Sequence, residues 1–237
     1  MQKNKLTTYL LYAIGEIVLV VIGILIAVSI NNWNQLAKEA KAEQALLKKV
    51  MNDLEVDAKG FVENKKTGTR INSFHQDCFS IILNKKEPAD VVFSETNLVR
   101  RAMYISPITQ GNYPDLVNRV NNEDVKEAIS IYFRWLHNMD VANKEFEDVV
   151  FQIRRTISMK GAHNLSALYD QSNLTFNSFE TTELVTQEGL LKLLEDEYFQ
   201  QLLLECNLKL IETQGELDSL IVKNSELKSR IADNLAN

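Results

Sequence analysis

The amino-acid sequence predicts an all-α protein, in which a transmembrane helix near the N-terminus continues into an elongated helical bundle. Three observations lead to this prediction. Residues 10–30 form one nearly uninterrupted apolar stretch. Most of the chain after it repeats its apolar residues with the 3.6-residue period of a helix. The 237 residues include only 8 Gly and 3 Pro, which is too few for the many turns of a β-sandwich.

The apolar stretch has the length and composition of a membrane span. A helix over residues 10–30 measures roughly 31 Å, which is enough to cross a hydrocarbon core. Fourteen of its residues are Leu, Ile or Val, and Glu16 is its only ionisable residue. Inserting the aliphatic residues is worth about −4 to −8 kcal/mol, whereas one carboxylate costs about 2.5–3.5 kcal/mol. We therefore predict a short tail over residues 1–8 and a transmembrane helix over residues 9–30.

Aromatic residues bracket the predicted span. Tyr9 and Tyr12 lie at one end and Trp33 at the other, where amphipathic rings anchor a helix in the membrane interface. A cleaved signal peptide is the alternative, because two lysines precede the stretch and Ala27-Val28-Ser29 resembles a cleavage site. The stretch is long for a signal peptide, and the helical pattern runs on past that site. These features favour an anchor that is retained.

One stripe of the span carries its charge and its small residues. Glu16, Gly23 and Ala27 recur at helical spacing, and Gly23 and Ala27 form a small-xxx-small pair that lets another helix approach closely. A carboxylate on such a face would pair with a partner helix. The alternatives are a protonated Glu16 that is bonded within a homo-oligomer, or one that lies near the headgroups. We predict that the chain forms a homo-oligomer or binds another membrane protein through this stripe.

The charges that flank the span leave its orientation open. Lysines occur on both sides, so the positive-inside rule gives no clear result. A very short tail before a long domain is typical of a signal anchor whose N-terminus stays inside. We therefore predict a single-pass protein of the cytoplasmic (inner) membrane with its C-terminal domain in the periplasm. In that compartment Cys78 and Cys206 either pair or remain two buried thiols.

Residues 31–66 are predicted to form a juxtamembrane helix that packs into the domain. Apolar residues recur every seven positions from Trp33 to Phe61. No Pro or Gly interrupts the chain between Gly23 and Gly60, so the spanning helix is expected to continue without a break. Its expected end is Lys65-Lys66-Thr67-Gly68.

The remaining residues, 67–237, are predicted to form a helical bundle with a long C-terminal helix. Apolar residues at spacings of 4 and 3 predict a bundle helix over residues 121–161 and the final helix over residues 186–235. Thr213 and Asn224 fall on the apolar series of the final helix, and polar residues at such positions often determine pairing register. The same pattern would also fit a coiled coil between chains.

Shorter segments connect these helices. Residues 71–83 and residues 94–104 are each expected to form a short helix. Residues 106–114 contain two of the three prolines and predict an ordered loop. Residues 162–182 are polar and predict a connecting loop.

The sequence contains no common motif for catalysis, phosphate binding or metal binding. The three histidines lie far apart, and there is no HExxH, no Gly-rich phosphate loop and no GxSxG. We therefore predict no enzymatic activity, no catalytic residue, no cofactor and no metal. A net charge of −6 also argues against nucleic acid as a partner. The pairs Arg100-Arg101 and Arg154-Arg155 could bind an anionic ligand or a lipid headgroup, although solvated helix faces are the simpler interpretation.

The anchor region resembles a known family. Residues 9–27 read YLLYAIGEIVLVVIGILIA, and residues 30–34 read INNWN. They resemble the Y-A-I-G-E-I-x-L-V-V-I-G-I-L-I-A and I-N-N-W-N segments of a large family of uncharacterised membrane proteins from Bacteroidetes bacteria. Residues 113–116 and 125–132 look like the middle region of that family. The resemblance implies a single-pass inner-membrane protein with a helical domain, and it carries no activity or catalytic residue.

These features predict a membrane-anchored helical interaction or scaffolding protein, whose partners are the lipid bilayer and either a second copy of the chain or another membrane protein. The alternative is an extracytoplasmic sensor or small-ligand-binding helical bundle. Such a bundle would act through a separate membrane partner, because the chain holds no output domain of its own.

Overall fold

The all-α prediction is confirmed by the computed structural model. The structure describes residues 3–91, 93, 95–164, 166, 169–170, 175–176 and 183–236. Within these residues its helices are α1 (Lys3–Ile82), α2 (Thr109–Asn112), α3 (Glu123–Met159), α4 (Gln187–Leu194) and α5 (Glu197–Ala236). Short 3-10 helices cover Pro88–Asp90, Thr96–Arg100 and Leu116–Arg119. Two short strands, β1 (Tyr169–Asp170) and β2 (Thr175–Phe176), pair antiparallel.

Helix α1 is one continuous element of 80 residues, and the end predicted at residues 65–68 is wrong. Gly68 lies inside the helix, where a side chain would begin 2.8 Å from Gln214 Nε2 of α5. One glycine costs a helix only about 1 kcal/mol, and here it allows α5 to approach closely. The helix ends instead at Ile82, and the turn after it contains Asn84, whose φ of 52° places it in the left-handed region typical of a C-terminal cap. The short helix predicted at residues 71–83 is therefore the last part of α1.

Helix α3 begins at Glu123, two residues after the start that the sequence predicts. The side chain of Asn122 accepts a hydrogen bond from the backbone N–H of Val125, at 3.1 Å. Glu123 and Asp124 follow in the first turn, where negative charge is favourable. The series of positions at spacings of 4 and 3 from Val125 to Ile157 is buried, as the sequence predicts.

The single final helix predicted for residues 186–235 is wrong, because α4 and α5 are separate elements. The chain turns at Asp196, whose carboxylate accepts a hydrogen bond from the backbone N–H of Phe199 at 3.0 Å and so caps α5. Gln200 donates to the carbonyl of Leu194 at 2.7 Å and closes the turn. Hydrogen bonds from Lys160 and from the Phe199 backbone lower the pKa of Asp196. A cap of this kind starts a new helix even where the apolar period continues.

The core is formed by α1 from residue 50 onward, α3, α4 and α5, together with Val91, Phe93, Val99, Ala102 and Met103. The apolar residues at spacings of 4 and 3 from Phe199 to Ile231 of α5 are buried, and so are Thr213 and Asn224 on the same series. Contacts along the chain divide it into two compact units, residues 1–49 and residues 50–237.

The short connecting segments are less regular than the sequence predicts. Of the helix expected at residues 94–104, only a 3-10 helix at Thr96–Arg100 is present. The loop expected at residues 106–114 contains α2. The strands β1 and β2 lie within the loop predicted at residues 162–182, most of which falls outside the described residues.

Candidate functional site

The stripe that is predicted to contact a partner helix lies on an exposed part of α1. Every residue from Ile14 to Ile30 is exposed, including Glu16, Gly23 and Ala27. Gly23 has nothing within 4 Å of the position that a side chain would occupy, so this face has open space beside it. Among the described residues, α1 is the one helix with a stretch long and apolar enough to cross a membrane.

The predicted aromatic anchors are only partly described. Trp33 is 75% exposed, which is consistent with a side chain that faces an interface. The backbones of Tyr9 and Tyr12 belong to α1, whereas their side chains lie outside the described residues.

A buried carboxylate lies between the helices of the bundle. Asp57 of α1 is only 3% exposed. Its Oδ1 accepts from the backbone N–H of Ile108 at 2.7 Å, and its Oδ2 accepts from the backbone N–H of Thr109 at 3.3 Å. The hydroxyl of Tyr132 on α3 donates to the same Oδ2 at 3.0 Å. Asp57 therefore joins α1 to α3 and to the start of α2.

Asn224 of α5 extends this group, which we call the Asp57 network (Asp57, Tyr132 and Asn224). Its Nδ2 donates to the carbonyl of Leu54 at 3.1 Å and to the hydroxyl of Tyr132 at 3.4 Å. Burial and the neighbouring Asp57 carboxylate raise the pKa of Tyr132, so the phenol stays protonated and donates. The network links the three long helices, and its bonds satisfy a carboxylate that would otherwise be costly to bury.

A second buried polar pair joins α1 to α5. His75 Nδ1 lies 3.1 Å from Asn207 Oδ1, and the His75 side chain packs against the rings of Phe74 and Phe79. Burial lowers the pKa of His75 to about 4, which the hydrogen bond to Asn207 only partly opposes. The imidazole is therefore neutral at pH 7 and serves as a packed hydrogen-bonding group.

The two cysteines remain two buried thiols, which decides between the alternatives that the sequence left open. Cys78 and Cys206 are both buried and free. Burial raises the pKa of Cys78 and raises that of Cys206 to about 12. Neither thiol is a nucleophile at neutral pH in this environment.

A shallow groove runs between α3 and α5. Its walls include Glu145 of α3 and Glu212 and Glu216 of α5. Lys209 lies between two of them, 2.5 Å from Glu145 and 3.1 Å from Glu212. Within the described part of the chain, no three His, Cys, Asp or Glu side chains are arranged to hold a metal ion.

Asp57 and His75 belong to no common motif, but the sequence contains a signal for the burial of both. Asp57 follows Leu54 by three residues and precedes Phe61 by four, so it occupies the buried stripe of α1. His75 follows Ile71 by four residues and precedes Cys78 by three, so it also occupies this stripe. A charged or polar residue on an apolar stripe predicts a buried partner. The neighbouring sequence does not identify that partner, because Tyr132 and Asn207 lie on other helices.

Comparison with known proteins gives one match. The model of a family of unknown function, DUF6090, matches residues 16–156, which include most of the apolar stretch, the rest of α1 and most of α3. No curated protein and no solved structure matches the chain.

Proposed function

The chain belongs to the DUF6090 family of unknown function, and we propose that it acts as a membrane-anchored helical interaction or scaffolding protein. One observation carries this proposal: residues 14–30 are apolar, helical and exposed on every side. Such a surface is strongly unfavourable in water and favourable in a bilayer. The partners are then the bilayer and a second helix. The Bacteroidetes origin rests on the anchor motif and belongs to this proposal as well.

The partner helix is proposed to come from a second copy of the chain, through the stripe of Glu16, Gly23 and Ala27. Gly23 supports this assignment because it offers a backbone surface with open space around it. In the absence of a hydrophobic driving force between helices, close packing of small residues drives association in a bilayer. A homo-oligomer would also provide Glu16 with a hydrogen-bonding partner.

Crosslinking of the full chain in membranes tests this interface. Gly23→Ile fills the space beside the helix, so we expect it to reduce the crosslinked oligomer severalfold. Val18→Ile is the control, because Val18 is also exposed but lies on the opposite face of the helix from the stripe. Unchanged crosslinking by Gly23→Ile, or an equal loss with Val18→Ile, would contradict the proposed stripe.

The location is proposed to be the inner membrane, with the bundle in the periplasm. Lys48→Cys, labelled in intact cells with a maleimide that cannot cross the inner membrane, tests the side on which the domain lies. Lys48 is exposed, whereas the native Cys78 and Cys206 are buried and provide the unlabelled background. Labelling before lysis is expected. Labelling only after the inner membrane is opened would place the domain in the cytoplasm.

We propose no catalytic activity for the chain. The buried titratable groups support this proposal, because Asp57, Tyr132 and His75 are all bonded to structural partners. Groups that act in catalysis usually face a cleft where a substrate can reach them. A hydrolytic activity that survives purification and is lost in an Asp57 variant that folds normally would overturn it.

An extracytoplasmic sensor or small-ligand-binding bundle is the second candidate. The groove between α3 and α5 favours it, because Glu216 Oε2 is buried there without a hydrogen-bond partner among the described residues. A ligand with a donor group would satisfy this oxygen. Native mass spectrometry of the full chain, released from detergent, would then show a bound small molecule that Glu216→Leu loses. Spectra of the bare chain alone would contradict this function.

A further inference from the structure

Two arginines from distant parts of the chain lie side by side on the surface of the bundle. Arg154 of α3 donates from Nε to the backbone carbonyl of Arg100, at 2.9 Å. Its guanidinium also lies over the ring of Phe151, with Cζ 5.2 Å from the ring centroid. These two contacts hold the Arg154 guanidinium beside Arg100, which ends the 3-10 helix at Thr96–Arg100.

Among the described residues, neither guanidinium forms an ion pair with a carboxylate. In the described part of the chain, no Asp or Glu oxygen lies within 4.0 Å of Arg100 or Arg154, although thirteen other ion pairs are present. Residues 96–104 and residues 150–158 contain no acidic residue. Arg101 and Arg155 add two more positive charges. A local charge of this size is unusual in a chain whose net charge is −6.

Arg100 also has an unsatisfied donor. Its Nε is buried without a hydrogen-bond partner among the described residues. Burial and the positive charge of Arg154 lower the pKa of Arg100, which shows that the two cations repel each other at this place. Holding two cations close together is electrostatically unfavourable, and an anion bound between them would offset this repulsion.

We propose that Arg100 and Arg154 form a binding site for a phosphate group. Each guanidinium presents planar N–H donors, whose geometry matches the oxygens of phosphate. A phosphate dianion has enough oxygen atoms to accept hydrogen bonds from both guanidinium groups, and its charge neutralises both cations. The site is open to solvent, since the neighbouring Tyr104 is 66% exposed and Phe151 is 51% exposed. The same chemistry occurs in free phosphate compounds and in a lipid headgroup with a terminal phosphate.

Thermal unfolding of the full chain in detergent tests the site with two probes. The first is inorganic phosphate, and the second is phosphatidic acid mixed into the micelles, with phosphatidylcholine as the neutral comparison. A ligand that binds only the folded state raises the melting temperature. We expect at least one probe to raise it. If inorganic phosphate raises the melting temperature, the ligand is a free phosphate compound. If only phosphatidic acid raises it, the ligand is a lipid headgroup.

Two double variants separate the site from general charge. Arg100→Gln with Arg154→Gln should weaken binding by about tenfold or more, as expected for loss of charge-assisted bonds. Arg101→Gln with Arg155→Gln removes the same charge from the adjacent positions and should leave binding within about twofold. If neither probe shifts the melting temperature, or both double variants weaken binding equally, the proposal is wrong.

A single variant covers the case in which the first double variant does not fold. Arg100→Gln leaves the backbone carbonyl of residue 100 in place, so the hydrogen bond from Arg154 that joins α3 to this segment is kept. It should fold with an unchanged far-ultraviolet circular dichroism spectrum and still lose most of the response. An undiminished response in this folded variant would overturn the site.

Discussion

Asp57 illustrates how single residues organise this bundle. A carboxylate on the buried stripe of a helix is unfavourable unless its oxygens are bonded, and three donors bond Asp57. Two of these donors are backbone N–H groups at the start of α2, a segment that follows a proline-containing turn. The carboxylate therefore positions a short segment that has little apolar surface of its own to hold it in place.

Tyr132→Phe removes one hydroxyl from the Asp57 network without changing the ring. Asp57 loses one donor and Asn224 loses one acceptor, so we expect the free energy of unfolding to fall by about 1–3 kcal/mol. Urea unfolding of the full chain in detergent measures this. Tyr198→Phe is the control, since Tyr198 is 58% exposed and should change stability by less than about 0.5 kcal/mol. Equal effects would contradict the role of the network.

His75 makes the stability of the bundle depend on pH. The unfolded imidazole has its ordinary pKa near 6.5, and burial lowers the folded value to about 4. The unfolded state therefore binds the proton first as the pH falls, so stability is highest above pH 6.5 and decreases between pH 6.5 and 4. The loss amounts to about 3 kcal/mol over that window.

His75→Gln tests this dependence, because Gln can still bond to Asn207 and does not titrate. Urea unfolding at several pH values should show a steeper decrease below pH 6.5 for the native chain than for the variant. The carboxylates titrate equally in both chains, so the difference between the two curves isolates His75. Parallel curves would show that His75 is not the cause.

At the scale of elements, the apolar period predicts where helices lie better than where they end. Gly68 led to a predicted helix end, but it lies in the middle of α1 at the contact with α5. Asp196 was not recognised as a cap, although it divides the predicted final helix into α4 and α5. Helix ends depend on single hydrogen bonds and close contacts, which a periodic pattern does not contain.

Gly68→Leu tests the close contact between α1 and α5. A side chain at Gly68 would begin 2.8 Å from Gln214 Nε2 and 3.0 Å from Met103 Sδ. A leucine therefore forces both of these side chains to shift, and overpacking of this kind costs roughly 1–3 kcal/mol. Gly60→Leu is the matched control on the same helix, because nothing lies within 4 Å of that position. We expect the control to be neutral or stabilising by up to about 1 kcal/mol, since leucine favours helices. Chemical unfolding of both variants measures the difference. Equal stability of the two would contradict the contact.

At the scale of the whole molecule, the exposed apolar stretch and most of the charged residues occupy different parts of the chain. The exposed residues 14–30 contain one carboxylate, whereas the acidic and basic residues that give the net charge of −6 lie mostly after Trp33. An acidic domain is not attracted to anionic lipid headgroups overall. If the proposed function holds, membrane association therefore depends on the apolar stretch.

Two lysines in the apolar stretch should release the chain from the membrane. Val20→Lys with Ile24→Lys changes the insertion free energy by about 6–8 kcal/mol, which exceeds the net gain from the aliphatic residues. Val56→Lys with Val62→Lys is the control, because these valines are 53% and 43% exposed on the same helix beyond the stretch. Carbonate extraction of cell membranes should release the first variant and retain the second. Retention of both would show that another part of the chain anchors the protein.

The sequence alone determined the helical class, the apolar stretch that is able to cross a membrane and the buried faces of α3 and α5. These features follow from the local period of apolar residues, which any segment of the chain carries by itself. Only the tertiary structure decided which polar residues meet. Asp57 and Tyr132 are 75 residues apart, and His75 and Asn207 are 132 residues apart. Such pairs form because packed helices exclude water, so that each buried polar group needs a partner from whichever helix lies beside it.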